Sequence, residues 1–128
     1  MTIMKSYTDL EQSKKLAEIL PLESADMYFE PSAGFCTEPS EVKVGDIKYA
    51  HPRSIPCWSL ASLLEYLRKI DFFPDIIDSV DCVLMDISFA DDEDGKVLHP
   101  IHCLRVEGKT ILDACVEMIL KLHEKKLL

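Results

Sequence analysis

The stretch Cys82–Glu107, CVLMDISFADDEDGKVLHPIHCLRVE, decides the fold. Val83, Met85 and Ile87 alternate with Cys82, Leu84, Asp86 and Ser88 over Cys82–Phe89, the period-two pattern of a strand with one buried face. Asp91–Lys96 then reads as a turn. Asp94 and Gly95 tolerate positive φ and make a hairpin signal. Val97–Glu107 returns as the partner strand. Pro100 lacks an amide hydrogen, so it implies an edge position or a bulge. An antiparallel hairpin of this length needs a hydrophobic cover.

Amphipathic helices on either side supply that cover. Downstream, Ile111, Ala114, Cys115, Met118, Ile119 and Leu122 make an apolar stripe over Thr110–Lys125, with Thr110 as cap and Asp113 in the first turn. Lys121, Lys125 and Lys126 suit the negative end of the helix dipole. Upstream, Leu60, Leu63, Leu64 and Leu67 follow at i, i+3, i+4 and i+7, with Ala61 and Ile70 extending the stripe and Glu65, Arg68 and Lys69 facing out. Pro56 sits where a first-turn proline is tolerated. The first helix starts at Thr8, where Glu11 three residues on completes a capping box, and Pro21 ends it at Leu20. Asp26–Glu30 and Asp46–Ala50 are short strand candidates. Pro31–Gly45 reads as a loop, and Asp75–Ser79 as a possible helical turn after Pro74. The expectation is one domain over 1–128, an α+β fold with a small antiparallel sheet of about four strands and three amphipathic helices. The order is α-β-β-α-β-β-α, with helices two and three on the sheet.

Bulk composition agrees with one globular domain. The 128 residues are 48% hydrophobic and 29% charged, and a chain this long buries roughly two-thirds of its unfolded surface. Net charge is −9, so phosphate backbones and anionic lipid surfaces repel the chain, and direct nucleic-acid binding is not expected. No apolar run approaches the roughly 20 residues of a membrane span. The five cysteines, Cys36, Cys57, Cys82, Cys103 and Cys115, include no C-x-x-C pair. Met1–Leu10 is polar and mixed rather than signal-like, so free thiols in a cytoplasmic setting are the expectation.

Three blocks together, YTDLEQSKKLAEILPLESADMYF, IPCWSLASLLEYL and ILDACVEMILKLHEKKLL, resemble a family of small uncharacterised proteins of gut anaerobic bacteria and their phages. The resemblance covers roughly half of the chain, almost all of it helical. It implies a bacterial or phage cytoplasmic origin and brings no activity with it. Asp71–Glu107 is longer and more acidic here than the matching region of the family.

Three constellations carry chemistry. Cys57 lies at the predicted start of the second helix, where backbone donors and the dipole lower a thiol pKa. His99 or His102 on the last strand would serve as its base in a cysteine-dependent hydrolase, but no oxyanion-hole motif accompanies them. His99, His102 and Cys103, with Cys82 on the neighbouring strand, are zinc-ligand types. In a regular strand His99 and His102 face opposite ways, and only a bulge at Pro100 would unite them. Asp91–Asp94 are acidic, but with Gly95 at the sixth place of a calcium loop, Ala90 and Ile101 fall at the first and twelfth, neither a ligand. Trp58, Tyr28, Phe29 and Tyr49 could form an aromatic patch or pack inside. The four glycines form no phosphate-binding pattern.

No metal or cofactor is expected on this basis. The leading expectation is a non-enzymatic interaction or accessory protein with an unidentified protein partner. The alternatives are the Cys57 hydrolase and an acidic inhibitor that mimics nucleic acid.

Overall fold

In the computed structural model the described residues are 6–31, 39–50, 52–70, 72–78, 82–93 and 96–128, with the side chains of 31, 39–41, 88–93 and 96–103 also outside the description. The elements among them are α1 (Leu10–Ala17), β1 (Met27–Pro31), β2 (Pro39–Val44), β3 (Ile55–Cys57), α2 (Leu60–Lys69), β4 (Asp75–Asp78), β5 (Val83–Glu93), β6 (Lys96–Gly108) and α3 (Ile111–Glu124). The fold is α+β, as the periodicities require. The single sheet of about four strands is corrected to two three-stranded antiparallel sheets, ordered β2-β1-β3 and β4-β5-β6. The described order is α-β-β-β-α-β-β-β-α, one strand more on each side of α2. The chain gathers into two units, Met1–Leu64 and Glu65–Leu128.

In the first unit, α1 is capped one residue later than the sequence suggests. Asp9, not Thr8, takes the Gln12 amide, and the Gln12 side chain returns to the Asp9 amide, closing the capping box. Thr8 is drawn inward instead. The helix ends at Ala17, and Leu16 and Leu20 are buried. It lies against β3. The expected loop Pro31–Gly45 contains β2, whose Val42, Lys43 and Val44 pair with Phe29, Tyr28 and Met27. Gly45 then turns with φ +148°, a conformation open to glycine. The expected strand at Asp46–Ala50 is a single 3-10 turn, Ile47–Tyr49, because the Asp46 carboxylate accepts from the Lys48 amide and closes the chain on itself.

Pro56 is not in the first turn of a helix. It stands in β3 opposite Tyr28, with Cys57 opposite Met27. This is an edge strand of its sheet, where a proline removes no ladder bond that the fold needs. The second helix therefore begins later, behind Ser59. The Ser59 hydroxyl accepts from the Ser62 amide at 3.1 Å, and its carbonyl accepts the first helical bond from Leu63. Leu63 and Leu67 are buried, and Glu65, Arg68 and Lys69 are exposed, as the stripe predicts, but Ala61 is exposed rather than part of it.

In the second unit, β5 and β6 form the predicted hairpin, but the strands run on into the expected turn Asp91–Lys96, from Val83 opposite Gly108 to Glu93 opposite Lys96. Val83, Met85 and Ile87 are buried. Ala90 pairs with Ile101 but Asp92 with Val97, so Leu98, His99 and Pro100 lie across from Asp91 alone. The irregularity falls at the proline, on a strand that ends its sheet. Asp75–Asp78, read above as a turn, is instead β4, paired with Val83–Asp86. The α3 helix starts at its Thr110 cap, whose hydroxyl accepts from the Asp113 amide at 3.1 Å. It lies against β5 and β6. Ala114, Cys115, Met118, Ile119 and Leu122 are buried, and so are Leu112 and Val116. Each large apolar side chain so buried contributes roughly 1.5–3 kcal/mol. No helix among the described residues is long and apolar enough to cross a membrane.

Candidate functional site

Cys57 sits in a buried polar knot rather than at a helix start. Its pairing with Met27 holds it in β3, upstream of the Ser59 cap. Thr8 Oγ1 donates to Cys57 Sγ at 3.5 Å, and the thiol donates back to the Thr8 carbonyl at 3.3 Å. The same hydroxyl oxygen accepts the Trp58 amide at 3.1 Å and lies 2.7 Å from Ser13 Oγ. Thr8, Ser13, Cys57 and Trp58 are all fully buried. Burial pushes the Cys57 thiol above its ordinary value, and the Asp26 carboxylate adds to that, against the opposing hydrogen bonds from Thr8, Ser13 and Trp58. The nucleophilic species is the thiolate. At neutral pH this sulfur keeps its proton.

Asp26 closes a second clamp beside it. Its carboxylate accepts both the Ser59 amide, at 3.0 Å, and the Ser59 hydroxyl. That hydroxyl also accepts from the Ser62 amide. Asp26 and Ser59 thus tie the start of β1 to the start of α2. Trp58 is fastened likewise, its Nε1 donating to Ser24 Oγ at 2.9 Å. Of the aromatic patch, Trp58 is core, Tyr28 and Phe29 are half-buried, and Tyr49 is exposed.

The side chains of the proposed bases, and of the proposed metal ligands on β6, are not among the described ones. His99, His102 and Cys103 lie on β6 and Asp91–Glu93 on β5, with their side chains outside the described ones, and Asp94 lies outside the described residues altogether. Cys82 is half-buried just before β5. Cys115 is buried on α3, where burial pushes its thiol up to about 12.

Two concave surfaces belong to single units. The first unit has an open cleft of about 510 Å³ among Leu22, Ile47, Pro52 and Pro56. Its charged lining includes Glu23 and an Asp46–Lys48 ion pair 3.5 Å long. In the second unit, Arg105, Glu107, Glu117, Lys121 and Glu124 line a shallow recess of mixed sign. The first cleft also holds Ser54, whose buried Oγ has no hydrogen-bond partner among the described residues, while no serine, threonine or cysteine lines the second.

An open edge of the second unit is β4. Asp75, Ile76, Ile77 and Asp78 are all exposed, Ile76 by 40% and Ile77 by 42%, and Phe73 just before them by 64%. The strand ends its sheet, so one row of its backbone amides and carbonyls has no strand beside it among the described residues. In the sequence, Pro74 hides this four-residue strand. The visible signal was Ile76–Ile77 between two aspartates.

No family model matches the chain, and neither a curated protein nor a solved structure does.

Proposed function

We propose that this chain is a non-enzymatic interaction protein that takes an extended segment of a partner protein along β4. The observation that carries this reading is an edge strand exposed on both faces, with Phe73, Ile76 and Ile77 in solvent. Strand addition draws its affinity from main-chain hydrogen bonds and its selectivity from the side chains beside them. Isolated exposed apolar residues are ordinary, but three within five positions beside an open ladder are the composition of a docking edge. The buried, protonated Cys57 supports the same reading, because it withholds the nucleophile that the hydrolase alternative requires. In this proposal the setting is a bacterial or phage cytoplasm, on the resemblance of the three sequence blocks.

The test is site-specific photo-crosslinking in host cells, with the reactive group placed at Phe73 or Ile77. A discrete adduct is expected there and not from the still more exposed control position Tyr49. Equal adducts at both places, or none at either Phe73 or Ile77, would overturn the proposal.

A further inference from the structure

The geometry points to a basic partner segment: two apolar residues bracketed by lysine or arginine, added to β4 so that the cations meet Asp75 and Asp78. This rests on the reading of β4 as a docking edge. Asp75, Asp86 and Arg105 are successive cross-strand partners, so their side chains share one face. Arg105 is spent on Asp86, with Nε at 2.6 Å and a terminal nitrogen at 2.8 Å from its two carboxylate oxygens. The row therefore runs from Arg105 to Asp86 to Asp75 and ends at the open edge on a second carboxylate. A like-charged neighbour is unfavourable across strands, and an opposite charge favourable. A cation on the next strand would complete the row as plus, minus, minus, plus.

The rest of β4 repeats the demand. Asp78 closes the other end of the strand, opposite Val83, and is also exposed. Between them Ile77 shares a face with Leu84, and Ile76 shares the opposite face with the buried Met85. A fitting segment is thus cationic, apolar, apolar, cationic, and the pattern is the same in either direction. A second copy of this chain fits badly. In the two-fold antiparallel register that pairs all four residues, Asp75 would face Asp78 and Asp78 would face Asp75.

The experiment titrates the full chain with a short capped peptide in which two valines are bracketed by lysines. A matched peptide bracketed by glutamates is the control. Backbone amide shifts at 75–78 report the site. The lysine peptide should bind at least roughly fivefold tighter, about 1 kcal/mol. High salt should shrink that preference, since the charges are exposed. The double variant Asp75→Lys with Asp78→Lys should reverse it, and Asp75→Asn with Asp78→Asn should abolish it. Far-UV circular dichroism checks that both variants keep the fold. If both peptides shift these amides with equal affinity, the basic partner is overturned while the docking edge stands. Shifts at 75–78 that grow with protein concentration alone would overturn it in favour of a second copy. If neither peptide shifts these amides the inference also falls, and the crosslinking outcome then decides the docking edge separately.

Discussion

Thr8 and Cys57, 49 residues apart, hold each other twice: hydroxyl to sulfur at 3.5 Å and thiol to carbonyl at 3.3 Å. The first bond joins the two side chains and the second ends on the Thr8 main chain, so a change at Cys57 breaks both and a change of the Thr8 side chain only the first. Trp58 and Ser13 depend on the same threonine oxygen.

Thr8→Val keeps the shape and removes that oxygen. The Trp58 amide is left buried without its acceptor, and such an orphan costs about 1–3 kcal/mol. The urea midpoint should fall accordingly, whereas Thr8→Ser, which keeps the hydroxyl, should lose much less. Equal midpoints for wild type and Thr8→Val would refute the role given to the knot.

The two buried thiols should resist reagents. In the native chain, Cys57 and Cys115 should react with an aromatic disulfide only as fast as the protein opens, as mapped by peptide mass spectrometry. Prompt labelling of Cys57 would revive the hydrolase reading. Cys115 also sets an alkaline dependence. Its folded value, about 12, lies above the unfolded value of about 8.5. Its contribution is therefore whole below the unfolded value. It declines as pH rises between the two, by roughly 1.4 kcal/mol per pH unit. Cys115→Ala should flatten that decline in denaturation curves taken at successive alkaline pH values.

Acid should act through Asp86. Hydrogen bonds from Arg105, aided by its charge, hold this carboxyl below its usual range. A lowered folded value gives stability that is present at neutral pH and lost as pH falls through that value. Arg105→Ala should raise the Asp86 midpoint in a carboxyl NMR titration and move the onset of acid unfolding to higher pH. An unmoved midpoint would deny the pair its effect in solution.

Gly108 has no room for a side chain. A Cβ there would meet the Ala114 amide nitrogen, the Asp113 carbonyl carbon at 2.8 Å and Ala114 Cα at 2.9 Å, all backbone of the first turn of α3. Backbone cannot rotate away, so Gly108→Ala should cost at least about 1–3 kcal/mol. A lowered thermal midpoint checks this, and an unchanged one would mean that α3 can shift at its start.

The elements that the sequence made visible are those whose cause is local. Thr110 and the wide stripe behind it specify α3 from within, and the alternation from Val83 to Ile87 specifies β5. The first cap was missed by one residue because Thr8 and Asp9 can each serve, and only the distant Trp58 amide decides that Thr8 turns inward. The missed strands β2, β3 and β4 share another cause. Each is short or holds a proline, and each is made a strand by a partner elsewhere in the chain: Tyr28 for Pro56, Phe29 for Val42, Met85 for Ile76. The polar knot was hidden for the same reason. Thr8, Ser13, Asp26 and Ser59 are unremarkable singly, and their spacing follows no motif. Ser59 did announce a cap three residues before Ser62, but Pro56 offered a plausible earlier start.

The clasp between Thr8 and Trp58 has a kinetic consequence. Its two bonds, Thr8 amide to Trp58 carbonyl and Trp58 amide to Thr8 hydroxyl, join positions 50 apart. Closing a loop of n residues costs entropy of about (3/2)RT ln n, which no local contact repays along the way. The α1 capping box spans three residues and can form at once. The clasp must wait until most of the first unit has collapsed, and it lets go only when that unit opens as a whole. Hydrogen exchange at the Thr8 and Trp58 amides therefore measures the global opening of the unit, while exchange at Gln12 measures the fraying of one helical turn.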